Sequence, residues 1–176
     1  FKIIFPELKN IDIFSKLNST KKDIFKEDDF IFLLSLMIID KTDNTDYFLY
    51  KFNISKKDQK RIKIIDNFFK EKIQSNTFTE NNMNKIFYYD GKQAVIDILN
   101  FNFIKSKKFD KIYKELIELY KNKSIPIMPI GADVLMTKYK IPEGKQLGTK
   151  LKMIEEEWVK NNFQISEKQV ENIINN

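Results

Sequence analysis

The chain has 176 residues, 42% of them hydrophobic, with 16 phenylalanines and a net charge of +6. That length holds one or two compact units, and the apolar content excludes a disordered tail. Cysteine and histidine are both absent, which excludes disulfides, thiolate metal sites and thiol nucleophiles and removes the usual general base and zinc ligand. The chain opens on Phe1 rather than Met, which reads as a piece of a longer protein. The apolar run from Phe30 to Ile39 is interrupted by Ser35 and is about half of the roughly 20 residues a bilayer span needs. A buried helix is expected there, and no membrane association. Lys41 to Asp46 reads as a polar loop. Asp40, Asp43 and Asp46 lack the spacing, turn glycine and terminal glutamate of a calcium loop.

Ser55-x-x-Asp58 reads as a capping box opening a helix whose buried stripe is Ile62, Ile65, Phe69 and Ile73. Gln74 to Asn84 reads as a second loop. Asp90-Gly91 resembles a hairpin turn, but Asp97, Ile98 and Leu99 continue a helical pattern, so a helix is expected to start after Gly91. Phe109, Ile112, Tyr113, Leu116 and Tyr120 form another helical stripe. The composition breaks between Asn122 and Ile130. Leu147, Leu151, Ile154 and Trp158 make a later stripe, which assigns Trp158 to the core. Within it, Glu155, Glu156 and Glu157 point in different directions and cannot converge on one site. Ser166-x-x-Gln169 caps a last helix carrying Val170 and Ile173. The predicted fold is therefore all-α: a helical body over residues 1–124 and a small helical tail over 125–176.

Nearly all the positive charge is lysine, since Arg61 is the only arginine. An AT-rich coding sequence accounts for part of this, but a basic surface still favours polyanions through counterion release. Lys56, Lys57, Lys60 and Arg61 fall in the first turns of the helix capped by Ser55. Cations there oppose the helix dipole by a few tenths of a kcal/mol each, whereas a phosphate suits the exposed amides. A second group, Lys138, Lys140, Lys145, Lys150 and Lys152, surrounds Gly131, Gly144 and Gly148. Those glycines permit close backbone approach, either to another helix or to a ribose-phosphate chain. Lys105, Lys107 and Lys108 form a third cluster with neither a cap nor a glycine beside it. No P-loop, dinucleotide fingerprint, nucleophile elbow or metal-ligand spacing is present.

Three of the four glycines and three of the four prolines lie between Pro126 and Gly148. Pro129-Ile130-Gly131-Ala132-Asp133-Val134-Leu135, then Ile141-Pro142-Glu143-Gly144-Lys145-Gln146-Leu147-Gly148, then Glu156-Glu157-Trp158, in this order, resemble the closing segment of bacterial CCA-adding enzymes. These belong to the tRNA nucleotidyltransferase and poly(A) polymerase family. Phe5-Pro6-Glu7-Leu8, Phe52-Asn53-Ile54-Ser55-Lys56-Lys57 and Tyr88-Tyr89-Asp90-Gly91-Lys92-Gln93-Ala94 are similar to earlier segments of the family's body. Ala132 stands where a basic residue is common. Lys140 stands where a glycine often precedes the Ile-Pro pair, which implies a different turn, because lysine resists positive φ.

The resemblance implies a helical body and tail that dock tRNA by its backbone. The family's head, with its Gly-Ser motif and metal-binding aspartates, and its nucleotide-selecting neck have no counterpart in these residues. The resemblance therefore implies no catalytic residue and no cofactor in this piece, Mg²⁺ in the head only, and no activity of the piece by itself. It also implies that the full protein is a cytoplasmic CTP/ATP-dependent transferase whose head and neck partner this chain. Whether it adds CCA, CC, A or poly(A) stays open, because those choices lie in head and neck. The rival reading is a stand-alone helical adaptor or protein-interaction module with a lysine-solvated surface.

Overall fold

The structure, a computed structural model, describes residues 3–17, 29–71, 78–106 and 111–175, and the side chains of 111 and 112 lie outside the description. Among the described residues there is one short 3-10 helix, Ile11–Lys16, and nine α-helices, with no strand. The all-α expectation holds. The α-helices are α1 (Phe30–Ile38), α2 (Asn44–Lys51), α3 (Lys56–Lys70), α4 (Glu80–Tyr89), α5 (Lys92–Lys105), α6 (Lys111–Asn122), α7 (Ala132–Lys138), α8 (Lys145–Lys160) and α9 (Glu167–Asn175). Ile73, Lys107, Lys108 and Phe109 lie outside the described residues. Among the described residues, no helix is long and apolar enough to cross a membrane.

The chain divides into two compact units. The first comprises residues 1–77 and 90–123, the second 78–89 and 124–176. The boundary expected at 124/125 leaves α4 on the other side, because α4 packs with the residues after 124 rather than with its sequence neighbours.

In the first unit α5 is the central helix. Ala94, Val95, Ile98, Leu99, Phe101, Phe103 and Ile104 are all buried, so it is apolar nearly all round, as a core helix must be. It packs against α3 and α6, with the Phe69 and Phe101 rings 4.7 Å apart. Gly91 starts α5 at φ 89°, a conformation open to glycine and costly for other residues. The expected α3 stripe is buried at Ile62, Ile65 and Phe69. On α6, Tyr120 is fully buried. The apolar run after Asp29 is the buried α1, and Asp29 caps it by accepting from Phe32 N at 3.1 Å.

The polar stretch read as a loop over 41–46 is in part helix, since α2 begins at Asn44. Its polar side chains serve the turn into that helix. Asp40 accepts from the Thr42 amide at 3.0 Å and the Thr42 hydroxyl at 2.6 Å. Asn44 donates to the carbonyls of Glu7 and Ile38 at 2.9 and 2.7 Å. Side chains of this type favour helix starts as strongly as loops. The 74–84 loop expectation is corrected the same way. Thr79 accepts from the Asn82 amide at 3.4 Å and α4 starts at Glu80.

In the second unit α8 is the centre, contacting α4, α7 and α9. Leu135, Ile141, Leu147, Ile154 and Val170 form one buried cluster, with Leu151 and Ile173 packed against it. Trp158 is only 2% exposed. It stands edge-on to Tyr88 at 5.4 Å and lies 5.1 Å from Phe163. The C-terminus of α8 explains Phe163. Asn162 turns left-handed at φ 54°, Asn162 N donates to Val159 O at 3.2 Å and Phe163 N to Trp158 O at 2.8 Å. That is a Schellman turn with its usual apolar contact across the end. Ser166 and Gln169 form the expected reciprocal capping box before α9, with amide bonds of 2.9 and 3.3 Å.

Candidate nucleic-acid interface

The first group of basic residues is set by the start of α3. A Schellman turn closes α2, with Asn53 at φ 47° and Ile54 N donating to Leu49 O. Ser55 then accepts from Asp58 N at 3.3 Å and donates to Asp58 Oδ2 at 2.6 Å. An N-cap of this kind contributes about 1 kcal/mol to the helix. Lys56, Lys57 and Lys60 follow on the first turns and are exposed. Their side chains have no hydrogen bond or ion pair with any described residue.

Arg61 behaves differently. It donates to both oxygens of Asp97, from Nε at 2.7 Å and Nη2 at 2.9 Å. It also donates to both oxygens of Asp29, to Oδ1 from Nη1 at 2.9 Å and to Oδ2 from Nη2. Gln93 adds a bond to Asp97 Oδ1 at 2.8 Å. The Asp97 hydrogen bonds hold the guanidinium above its ordinary pKa against the opposing effect of burial, and Asp29 adds to them. Burial raises Asp29, but the bonds from Arg61 and the Phe32 amide outweigh it and leave that carboxyl below its usual range. The only arginine thus ties α3 to α5 and to the cap of α1, and its charge is spent inside the unit.

The second group lies in the second unit, and its members divide by partner. Lys138 pairs with Glu167, and that bond raises the lysine and lowers the carboxylate. Lys150 donates to the Ile173 carbonyl at 2.8 Å, fastening α8 to α9. Lys152 reaches Glu156 at 3.8 Å along its own helix, a pair worth a few tenths of a kcal/mol. Lys140 and Lys145 are exposed, with no partner among the described residues. Lys140 takes φ 57°, so the positive φ expected to be resisted there is adopted by a lysine after all. The turn is held by Ile141 N donating to Leu135 O at 3.2 Å and by the burial of Ile141.

The glycines also divide. Gly131 precedes α7, and the carboxylate of Asp133 fills the space a side chain would take there. Gly144 precedes α8 at φ 141°, which demands glycine. Gly148 lies inside α8, is exposed, and a Cβ on it would meet nothing within 4 Å. Lys145, Gly148 and Lys152 recur at helical spacing on the exposed side of α8, and Pro142 is exposed just before it. Trp158 is core and offers no stacking face.

The remaining sequence candidates are structural. Lys105, the described member of its cluster, is partly withdrawn. Burial lowers its pKa, and Nζ lies 3.3 Å from the Ile39 carbonyl and 5.2 Å from the Phe101 ring centre. Glu155 accepts from the Tyr88 hydroxyl at 2.7 Å, and Glu157 from Asn161 at 2.8 Å. Asp46 pairs with Lys63 at 3.0 Å and Lys70 at 3.4 Å. Among the described residues, no group of three or more acidic side chains is placed to hold a metal ion.

Compared with protein-family models, curated proteins and solved structures, the chain finds no match in any of the three.

Sequence reasoning missed the partners of Arg61, although two signals were present. Asp29 stands directly before an apolar run, the usual place of an N-cap. Asp97 sits among the apolar Ala94, Val95, Ile98 and Leu99, where a buried carboxylate requires a cation.

Proposed function

We propose that this chain is the RNA-docking body and tail of a tRNA nucleotidyltransferase. It holds the tRNA by phosphates and shape while a catalytic head elsewhere in the polypeptide performs the addition. The observation that carries the reading is Gly148. A glycine inside a helix costs about 1 kcal/mol relative to alanine, and packing gives no reason for it, since a side chain there would meet open space. A bare stretch of helix with Lys145 one turn before it and Lys152 one turn after it suits the close approach of a sugar-phosphate backbone. The free lysines at the start of α3 supply a second set of charges. Arg61 is withdrawn from the docking set by its two carboxylates, and Lys138 and Lys150 by their own bonds. The docking residues are Lys56, Lys57, Lys60, Lys140, Lys145 and Lys152.

The test is tRNA affinity as a function of salt. Each phosphate contact removed lowers the log–log slope by about one. Replacing Lys56, Lys57 and Lys60 by glutamine is expected to flatten the slope by up to about three and to weaken all tRNA sequences alike. Replacing Lys145 and Lys152 is expected to remove up to about two. An unchanged slope with an intact fold overturns the reading, and a chain with no preference for structured RNA favours the adaptor alternative. The purified chain is expected to incorporate no nucleotide into tRNA with CTP, ATP and Mg²⁺.

A further inference from the structure

We propose that Tyr50, with Tyr47 beside it, is a stacking platform for an unpaired RNA base whose flanking phosphates are held by Lys56 and Lys60. Tyr50 is 87% exposed and Tyr47 56% exposed. They stand three residues apart on α2 and therefore share a face. The side chain of Tyr50 makes no hydrogen bond, ion pair or ring contact with any described residue. Tyr47 is steadied by Lys51, whose Nζ lies 5.7 Å from its ring centre, while that same ammonium is held by Glu7 at 2.5 Å.

The lysines are brought to this face by the turn between the two helices. Asp46 meets Lys63 at the middle and Lys70 at the far end of α3, so the chain reverses between α2 and α3. Tyr50 is one helical turn on from Asp46, about 6 Å further along α2. Lys60 and Lys56 continue the line of Lys63 back along α3 at i−3 and i−7, towards that same end. An unengaged aromatic ring and two unengaged ammonium groups therefore sit at one end of the helix pair.

Charge selects the partner. Asp46 is paired with Lys63 and Lys70, and Asp66 with Lys70 at 2.9 Å. At the open end the carboxylate of these two helices is Asp58, bonded to the neutral Ser55 hydroxyl, against the ammonium groups of Lys56, Lys57 and Lys60, so that end keeps a net positive charge. A partner offering a flat π-face with a negative charge on either side answers both features, and an unpaired nucleotide of RNA does so. The proposal rests on the RNA-docking reading and adds a base contact to its phosphate contacts.

The probes are a 12-nucleotide single-stranded RNA and an abasic strand of the same length and charge. Tyr50→Ala is expected to weaken the RNA about five-fold or more and leave the abasic strand unchanged, since one stacked base contributes that much. Tyr50→Phe should stay within about two-fold, because the ring and not the hydroxyl stacks. Tyr50→Trp places an exposed indole against the buried Trp158 background, and its emission should be quenched by the RNA alone. A loss under two-fold for Tyr50→Ala, or equal losses on both strands, overturns the platform. If the glutamine variants of Lys56 and Lys60 still lose affinity in that case, docking stands and only stacking falls. If the parent chain binds neither strand nor tRNA, both readings fall, and an acidic protein ligand becomes the occupant of this face.

Discussion

Arg61→Ala tests whether the only arginine is a structural clamp or an RNA contact. The side chain of Asp97 is 2% exposed, whereas those of Arg61 and Asp29 are 24% and 33% exposed. Removing one partner of a buried ion pair costs about 3–5 kcal/mol, because the other charge is left without compensation. Asp97 would keep only its bond from Gln93, so its end of the clamp falls in that range. Water screens the Asp29 end, which adds roughly 1 kcal/mol or less. The expected loss is about 3–6 kcal/mol, a large share of the roughly 5–15 kcal/mol that holds a domain folded. With an m-value near 2 kcal/mol per molar, the urea midpoint of the first unit should fall by roughly 1.5–3 M. Circular dichroism at 222 nm follows it. Arg61→Lys should recover only part, since an ammonium cannot bond two carboxylates bidentately. The pair Arg61→Met with Asp97→Leu should return to within about 1 kcal/mol of the parent. A midpoint shift under about 0.5 M for Arg61→Ala would refute the reasoning. So would an Arg61→Ala chain that keeps its stability and loses tRNA affinity.

Four further outcomes follow from the second unit. Gly144→Ala should destabilise it by about 1–3 kcal/mol because of the backbone at φ 141°, while Gly148→Ala should stabilise it by up to about 1 kcal/mol and weaken tRNA binding; thermal melts and binding on the same samples separate the two. Lys140→Gly should raise stability by up to about 1 kcal/mol by relieving φ 57°, and a loss would show that the lysine side chain itself holds the turn. Burial and the bond to Glu155 push the Tyr88 phenol from 10.0 up to about 12. The folded state therefore keeps this proton longer than the unfolded chain, so the contribution is present below pH 10 and is lost between about pH 10 and 12. Tyr88→Phe should lack that decline, and parallel pH profiles for the two proteins would contradict it.

The features legible in the sequence are those fixed by local chemistry. Ser55 with Asp58 and Ser166 with Gln169 cap helices where expected, because a cap involves residues three apart. The stripes of α3 and α8 are buried because their spacing is periodic. The same local chemistry misled at α2 and α4, whose first turns are rich in Asp, Asn and Thr and resemble loops. Arg61 was misread because its carboxylates lie 32 and 36 residues away. Basic residues at a helix start look alike in sequence, whether free as Lys56 is or drawn inward as Arg61 is. Tyr50 was equally invisible. A tyrosine in an eight-residue helix carries no sign of which way it faces until the turn at Asn53 has set the partner helix.

The placement of α4 has a consequence for how the chain is made. Its residues belong with a unit whose remainder starts at 124, while 90–123 return to the other unit. Tyr88 and its acceptor Glu155 are 67 residues apart. A ribosome adding about 5–20 residues per second needs roughly 3–13 s to cover that distance. Throughout that interval the apolar side of α4 is synthesised but has no α8 to pack against, and Tyr88 has no Trp158 beside it. A chain ending at residue 124 would keep that side bare permanently. Nascent α4 is therefore the segment on which a holding chaperone would act, and a truncation meant to isolate the first unit should omit 78–89 or expect aggregation.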